Sequence, residues 1–202
     1  MPGKRRTAQL QKMQAQAIPM DLSAQSTPMI DVCDRLQGLA PVADARTKLL
    51  IVGSFPSVAS LRAQQYYAHA QNKLWTILAA LWPQFAQPTR DDYAARCEWL
   101  LARGLGLWDV YASCERQGSL DARIRHPVCN DFAALEKRCP QLSAVAHNGS
   151  ESYKHACRLE SLGWQTYKLP STSAANAAWS LERKVAAWRA AMQAVDLLEK
   201  ET

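Results

Sequence analysis

Four short segments of the chain carry the pattern of sheet strands. Lys48-Leu-Leu-Ile-Val-Gly53 places four large apolar residues in succession and ends in a glycine. Such an unalternating run suits a strand buried on both faces of a parallel sheet. Leu105-Gly-Leu-Trp-Asp-Val-Tyr111, Leu142-Ser-Ala-Val-Ala-His147 and Trp164 to Leu169 are the other three. Helical periodicity fills the intervals. Asn72 to Trp82 sets Leu74, Ile77, Leu78 and Leu81 on one stripe. Thr89 is placed to cap a helix running through Leu101, with Gly104 ending it. Short helices are expected over Asp31–Leu36, Gly118–Arg125 and Asp131–Arg138, and a longer one over Glu151–Leu159. The last helix starts at Ser180, with Leu181, Val185, Trp188, Met192 and Val195 forming an amphipathic stripe.

Strands alternating with helices predict an α/β fold, a three-layer α/β/α sandwich around a central four-stranded, mainly parallel sheet. Residues 31–202 are expected to form one such domain. Residues 1–30, rich in Gln, Ala, Ser, Thr and Pro, read as a mobile basic arm. Open sheets of this kind bind ligands beyond the carboxyl ends of their strands. Three turn-rich polar segments leave strand ends there: Gly53–Ser57, His147–Ser150 and Pro170–Asn176.

Charge and cysteine content narrow the chemistry. Of the net +6, residues 1–20 supply +4 through Lys4, Arg5, Arg6 and Lys12, with no acid among them. The rest of the chain carries only +2, so a polyanion partner is not announced by the body's bulk charge, although the arm can add phosphate contacts. The 6 cysteines include no C-x-x-C pair, and the 4 histidines no H-x-x-x-H pair. No structural metal is expected, and the cysteines are expected to be reduced. The chain has no apolar run long enough to span a membrane and no secretory signal, which points to a cytoplasmic protein.

Gly53-Ser-Phe-Pro-Ser57 is neither a phosphate-binding loop nor a dinucleotide fingerprint nor a hydrolase elbow. More informative is Tyr66-Tyr-Ala-His-Ala-Gln-Asn-Lys-Leu-Trp75, which follows the first strand exit. Aromatic rings beside side-chain amides suit stacking on a base and reading its edge. The same composition suits a core role for Tyr66, Leu74 and Trp75, which is the preferred reading for Trp75, while for Asn72 a helix cap and catalysis are compatible because a cap leaves part of the amide free.

Leu50-Ile-Val-Gly-Ser-Phe-Pro-Ser57, Ser60-Leu61, Tyr66-Tyr-Ala-His69, Asn72 and Trp75 together resemble the hypoxanthine-DNA (deoxyinosine) glycosylases of the uracil-DNA glycosylase superfamily. The likeness continues in order through Gly106-Leu-Trp-Asp-Val110, Gly118-Ser-Leu-Asp121, Asn130-Asp-Phe132, His147-Asn-Gly149 and Leu169-Pro-Ser-Thr-Ser173 with Asn176. It spans roughly residues 40 to 190. The resemblance implies an enzyme that flips a damaged base from DNA and hydrolyses its N-glycosidic bond without metal or cofactor. Its partner would be damaged double- or single-stranded DNA, not a membrane, and it is expected to act as a monomer.

Several relatives carry Asp or Asn where this chain has Phe55, which holds no water. The resemblance therefore implies Asn72 as the residue that orients the attacking water. It implies Asn148 as the reader of the flipped base, with Gly53, Ser54, Phe55, Tyr67 and His69 completing the base pocket. Tyr67 is the candidate for stacking on the base. Ser57, Ser171, Thr172 and Ser173 are expected on DNA phosphates. Asp109, Asp121 and Asp131 are read as structural carboxylates or caps. Lys73, the only lysine of the motif region, points away on the helix stripe, so no lyase activity is expected. Uracil specificity, a non-catalytic lesion-binding protein and a small-nucleoside hydrolase remain as competing readings.

Overall fold

The computed structural model describes residues 35–199. The arm expected over residues 1–30 lies outside them, as does most of the helix expected over Asp31–Leu36. Within the described residues, Arg35 and Leu36 belong instead to a strand, β1 (Arg35–Gln37).

The apolar run of the first motif becomes strand β2 (Leu49–Gly53), in which Leu49, Leu50, Ile51 and Val52 are fully buried. The reason is position. β2 is central, with β3 (Leu105–Asp109) on one side and a later strand, Ala144–Asn148, on the other. Each fully buried aliphatic side chain there contributes ~1.5–3 kcal/mol.

The segment expected as one strand over 105–111 divides at Val110. Its second half begins strand β4 (Tyr111–Glu115), which pairs antiparallel with β1 and with β5 (Arg125–Cys129) in a separate sheet. Val110 N–H donates to Gly53 O at 2.9 Å and Tyr111 N–H to Ser54 O at 3.0 Å, so the chain changes sheets directly over the exit of β2. The helix expected over Gly118–Arg125 shrinks to one 3₁₀ turn, Asp121–Arg123, because Arg125 already opens β5. Pro127 fits there because β5 is an edge strand.

Strands β6 (Ala144–Asn148) and β7 (Gln165–Leu169) complete the parallel sheet in the order β3-β2-β6-β7. The expected four strands and their parallel pairing are thus present. Strand order runs outward in opposite directions from β2 and β6. A crevice opens where that order reverses, beyond the carboxyl ends of these two strands.

Helices flank the sheet in a three-layer arrangement. Sequence periodicity missed α1 (Val58–Ala63), whose N-cap Ser57 accepts from Ser60 N–H at 3.1 Å. α2 (Leu74–Leu81) buries the predicted stripe. α3 (Tyr93–Leu101) is capped by Asp92 rather than Thr89, with Ala95 N–H donating to Asp92 Oδ1 at 2.9 Å. A 3₁₀ turn capped by Asp131 leads into α4 (Leu135–Arg138). The helix expected over Glu151–Leu159 is two, α5 (Ser150–Tyr153) and α6 (Ala156–Glu160), interrupted at His155. α7 (Leu181–Ala194) starts at its predicted cap and buries Trp188 and Met192 completely. Among the described residues no helix is long and apolar enough to cross a membrane.

Candidate active site

A cavity of about 630 Å³ lies at the carboxyl ends of β2, β3 and β6. Asn72 and Asn148 both line it, from separate segments of the chain. So do Gly53, Ser54, Phe55, Tyr67 and His69, and the serines Ser57, Ser171 and Ser173. Thr172 does not line it. It is fully buried, so its hydroxyl cannot reach a phosphate, against the sequence expectation.

Thr172 instead fixes the base-reading candidate. Its N–H donates to Asn148 Oδ1 at 2.9 Å, and its hydroxyl accepts from Asn148 Nδ2 at 2.9 Å. A backbone N–H can only donate, so the oxygen of the amide must face it, and the orientation of the Asn148 amide is settled. One N–H and one lone pair of that amide remain for a ligand. Thr172 O also accepts from Lys73 N–H at 2.9 Å, which ties the start of α2 to the 170–176 segment. One buried threonine therefore sets the spacing between the two asparagines.

Asn72 combines two roles that its composition allowed. Its Oδ1 accepts from Leu74 N–H at 2.9 Å and so supports the first turn of α2. An amide oxygen has a second lone pair, and Nδ2 has no protein partner among the described residues, so the head of the side chain can still hold a water. His69 is exposed, with Nδ1 accepting from Gln71 N–H at 3.3 Å. Ser54 Oγ donates to Asp121 Oδ1 at 2.6 Å, which pins the exit of β2 to the 3₁₀ turn. Phe55 is buried beneath the Arg116 guanidinium, 5.0 Å above its ring.

Two polar atoms at the cavity floor stand out. Tyr67, at φ 56, holds its hydroxyl beside the Asn148 amide but without a well-formed hydrogen bond. Burial pushes its ionisation far up, so it stays a neutral phenol. Asp109, at the end of β3, is 4% exposed. Its Oδ2 has no hydrogen-bond partner among the described residues. Burial, then the charge of Asp121, pushes its carboxyl up to about 7, and Arg116 opposes them.

Asp109 lines the cavity, although the sequence reading took it for a structural carboxylate. A signal existed, since ligands gather where strands end. Placing the strand end at Tyr111 set Asp109 two residues inside the expected strand, whereas β3 ends on it. Of the other two acids assigned to structure, Asp131 accepts from Ala133 N–H at 3.2 Å as a cap, and Asp121 holds Ser54.

Comparison with known proteins gives the same picture. The model of the Uracil DNA glycosylase superfamily matches residues 40–193. A hypoxanthine DNA glycosylase of Methanosarcina barkeri is 35% identical over 157 residues, covering 78% of this chain and 98% of that protein. A hypoxanthine DNA glycosylase of Methanosarcina acetivorans is 34% identical over 148 residues, covering 73% and 92%. A solution NMR structure from Methanosarcina acetivorans, described as a "putative Uracil DNA glycosylase", superposes with a TM-score of 0.69 at 31% identity, covering 81% of this chain and 99% of that one. With the crevice at the strand reversal and the paired asparagines in it, these matches show that the chain belongs to the uracil-DNA glycosylase superfamily of DNA glycosylases.

Proposed function

We propose that this protein is a monofunctional glycosylase that excises hypoxanthine, the deamination product of adenine, from damaged DNA. The observation that carries the reading is the clamped Asn148 amide facing the same cavity as Asn72. Hypoxanthine presents an acceptor at O6 beside a donor at N1. The remaining N–H of Asn148 supplies the donor that O6 calls for. Adenine reverses the pattern and would leave buried polar groups unpaired, at a cost of a few kcal/mol.

Asn72 orients the water that attacks C1′ as the bond to the base lengthens. The transition state is a sugar cation beside a departing purine anion, so dipoles aimed at the base matter more than a strong base at the water. An amide orients water but accepts its proton poorly, which predicts a modest rate. Ser171 and Ser173 stand at the cavity rim, where hydroxyls can bond the flanking phosphates; Thr172 acts from behind them. That two relatives from Methanosarcina are named hypoxanthine DNA glycosylases supports this reading.

Uracil is the second reading, for a specific reason. It offers an acceptor at O4 beside a donor at N3, the same pattern that Asn148 accepts. A duplex carrying one hypoxanthine or one uracil, incubated with the protein and then treated with alkali, decides between them. Cleavage at hypoxanthine well above uracil is expected. The reverse order would reassign the substrate, and cleavage of neither would end the glycosylase reading.

A further inference from the structure

Base reading by Asn148 and water placement by Asn72 leave Asp109 without a task, yet its placement is unusual. The carboxyl lies against Gly53, its parallel-strand neighbour at the end of β2. A Cβ added to Gly53 would meet Asp109 Oδ1 at 2.4 Å and the Tyr67 hydroxyl at 3.3 Å. Glycine at this position is what lets a carboxyl and a phenol stand together on the floor of the base cavity. Each has a sealed oxygen with no hydrogen-bond partner among the described residues.

An acid that only supports structure is normally answered by donors, as Asp131 and Asp121 are here. Asp109 is not. A carboxylate in that position would be buried without hydrogen bonds, which strongly favours the neutral acid. The groups that face it do not reverse this. Asp121 on the 3₁₀ turn repels the charged form. Arg116, beyond β4, attracts it, but burial outweighs that attraction. Tyr66, Tyr67 and Tyr93 are all held neutral by burial. A neutral carboxyl differs from a carboxylate in one respect that matters for a departing anion: it has a proton to give.

We propose that Asp109 is the general acid of the reaction, handing its carboxyl proton to the purine as the N-glycosidic bond breaks. The assignment rests on the hypoxanthine reading. The electron pair of the C1′–N9 bond goes to the purine, and the proton of Asp109 moves to a ring nitrogen, leaving a carboxylate. The water held by Asn72 bonds to C1′ and releases its proton to solvent. A solvent proton restores Asp109. The products are free hypoxanthine and an abasic sugar.

The test is single-turnover excision from a duplex carrying one hypoxanthine, followed from about pH 5.5 to 9 with wild type and Asp109→Asn. For wild type the rate should fall tenfold per pH unit once the acid ionises. At pH 6 the variant should be slower by ~10²-fold or more and should lack that limb, with lesion affinity little changed. A variant that keeps the wild-type rate and limb overturns the assignment. Should Asp109→Asn fail to fold, 13C NMR of aspartate-labelled wild type decides: a protonated Asp109 at pH 6 supports the assignment and an ionised one overturns it. A folded wild type inert on both hypoxanthine and uracil duplexes overturns the functional reading and this assignment with it; activity without a pH limb overturns this assignment alone.

Discussion

Asn72 and Asn148 are the same residue type in one cavity, and their hydrogen bonds separate what each can do. Asn72 commits one lone pair to Leu74 N–H. Removing that hydrogen bond in Asn72→Ala costs ~1 kcal/mol of stability, as for a helix cap. A fall in single-turnover rate of ~10²-fold or more is therefore too large to be a folding effect and reports a water no longer held in place. Lesion binding by anisotropy should stay within a few-fold of wild type; an unchanged rate would remove Asn72 from the mechanism. Asn148 calls for a different substitution, because alanine would also strand both Thr172 groups. Asn148→Asp keeps an acceptor for Thr172 N–H and lets the Thr172 hydroxyl turn round to donate. On the proposed hypoxanthine reading it removes the donor to O6 and adds a negative charge beside a departing anion. Hypoxanthine excision should drop ~10²-fold or more with little change in melting temperature. Retained hypoxanthine preference would place base reading elsewhere.

The strands of the parallel sheet were legible because burial on both faces leaves a signature no turn or surface helix shares, as at Leu49–Val52. The asparagines were legible through the motifs around them. What escaped was set by tertiary context. β4 and β5 form a second sheet whose outer strand is largely exposed, so hydrophobic periodicity carries little of it. The clamp role of Thr172 depends on its depth, which a run of small hydroxyls does not reveal. The segment at 170–176 shows how elements hold the site. Lys73 N–H anchors it from α2, Trp188 Nε1 reaches Pro170 O at 3.3 Å, and Lys184 Nζ donates to Asn176 O at 2.9 Å, the last two from α7. Lys184 is 4% exposed, so its hydrogen bond is shielded from water. Lys184→Met keeps most of the stem and removes the donor, at ~1–3 kcal/mol. Melting should fall by several degrees and DNA affinity should weaken, while the rate at saturating DNA changes little. Unchanged affinity would mean that Thr172 and Trp188 alone position the segment.

On the scale of the whole molecule, charge and chemistry are separated along the chain. The cavity is built largely from amides, hydroxyls and aromatic rings, with two acids, Asp109 and Asp121, and no lysine or arginine among its lining residues, and residues 21–202 together carry only +2 of the net +6. The other +4 falls within residues 1–20. A cavity without lysine or arginine can select a base but gains little from the phosphate backbone, whose attraction acts on cations and is driven by the release of counterions. Affinity for DNA in general and selectivity for the lesion should then be separable by truncation. Deleting residues 1–20 should leave the single-turnover rate at saturating DNA and the preference for hypoxanthine as they are. The slope of log affinity against log salt should become shallower by up to ~3–4, at about 0.9 for each phosphate that the arm no longer neutralises. Binding titrations of full-length and truncated protein from about 50 to 200 mM salt measure this directly. Parallel lines would assign phosphate binding to the folded body, with the rim serines and the basic residues near them as the groups to substitute next.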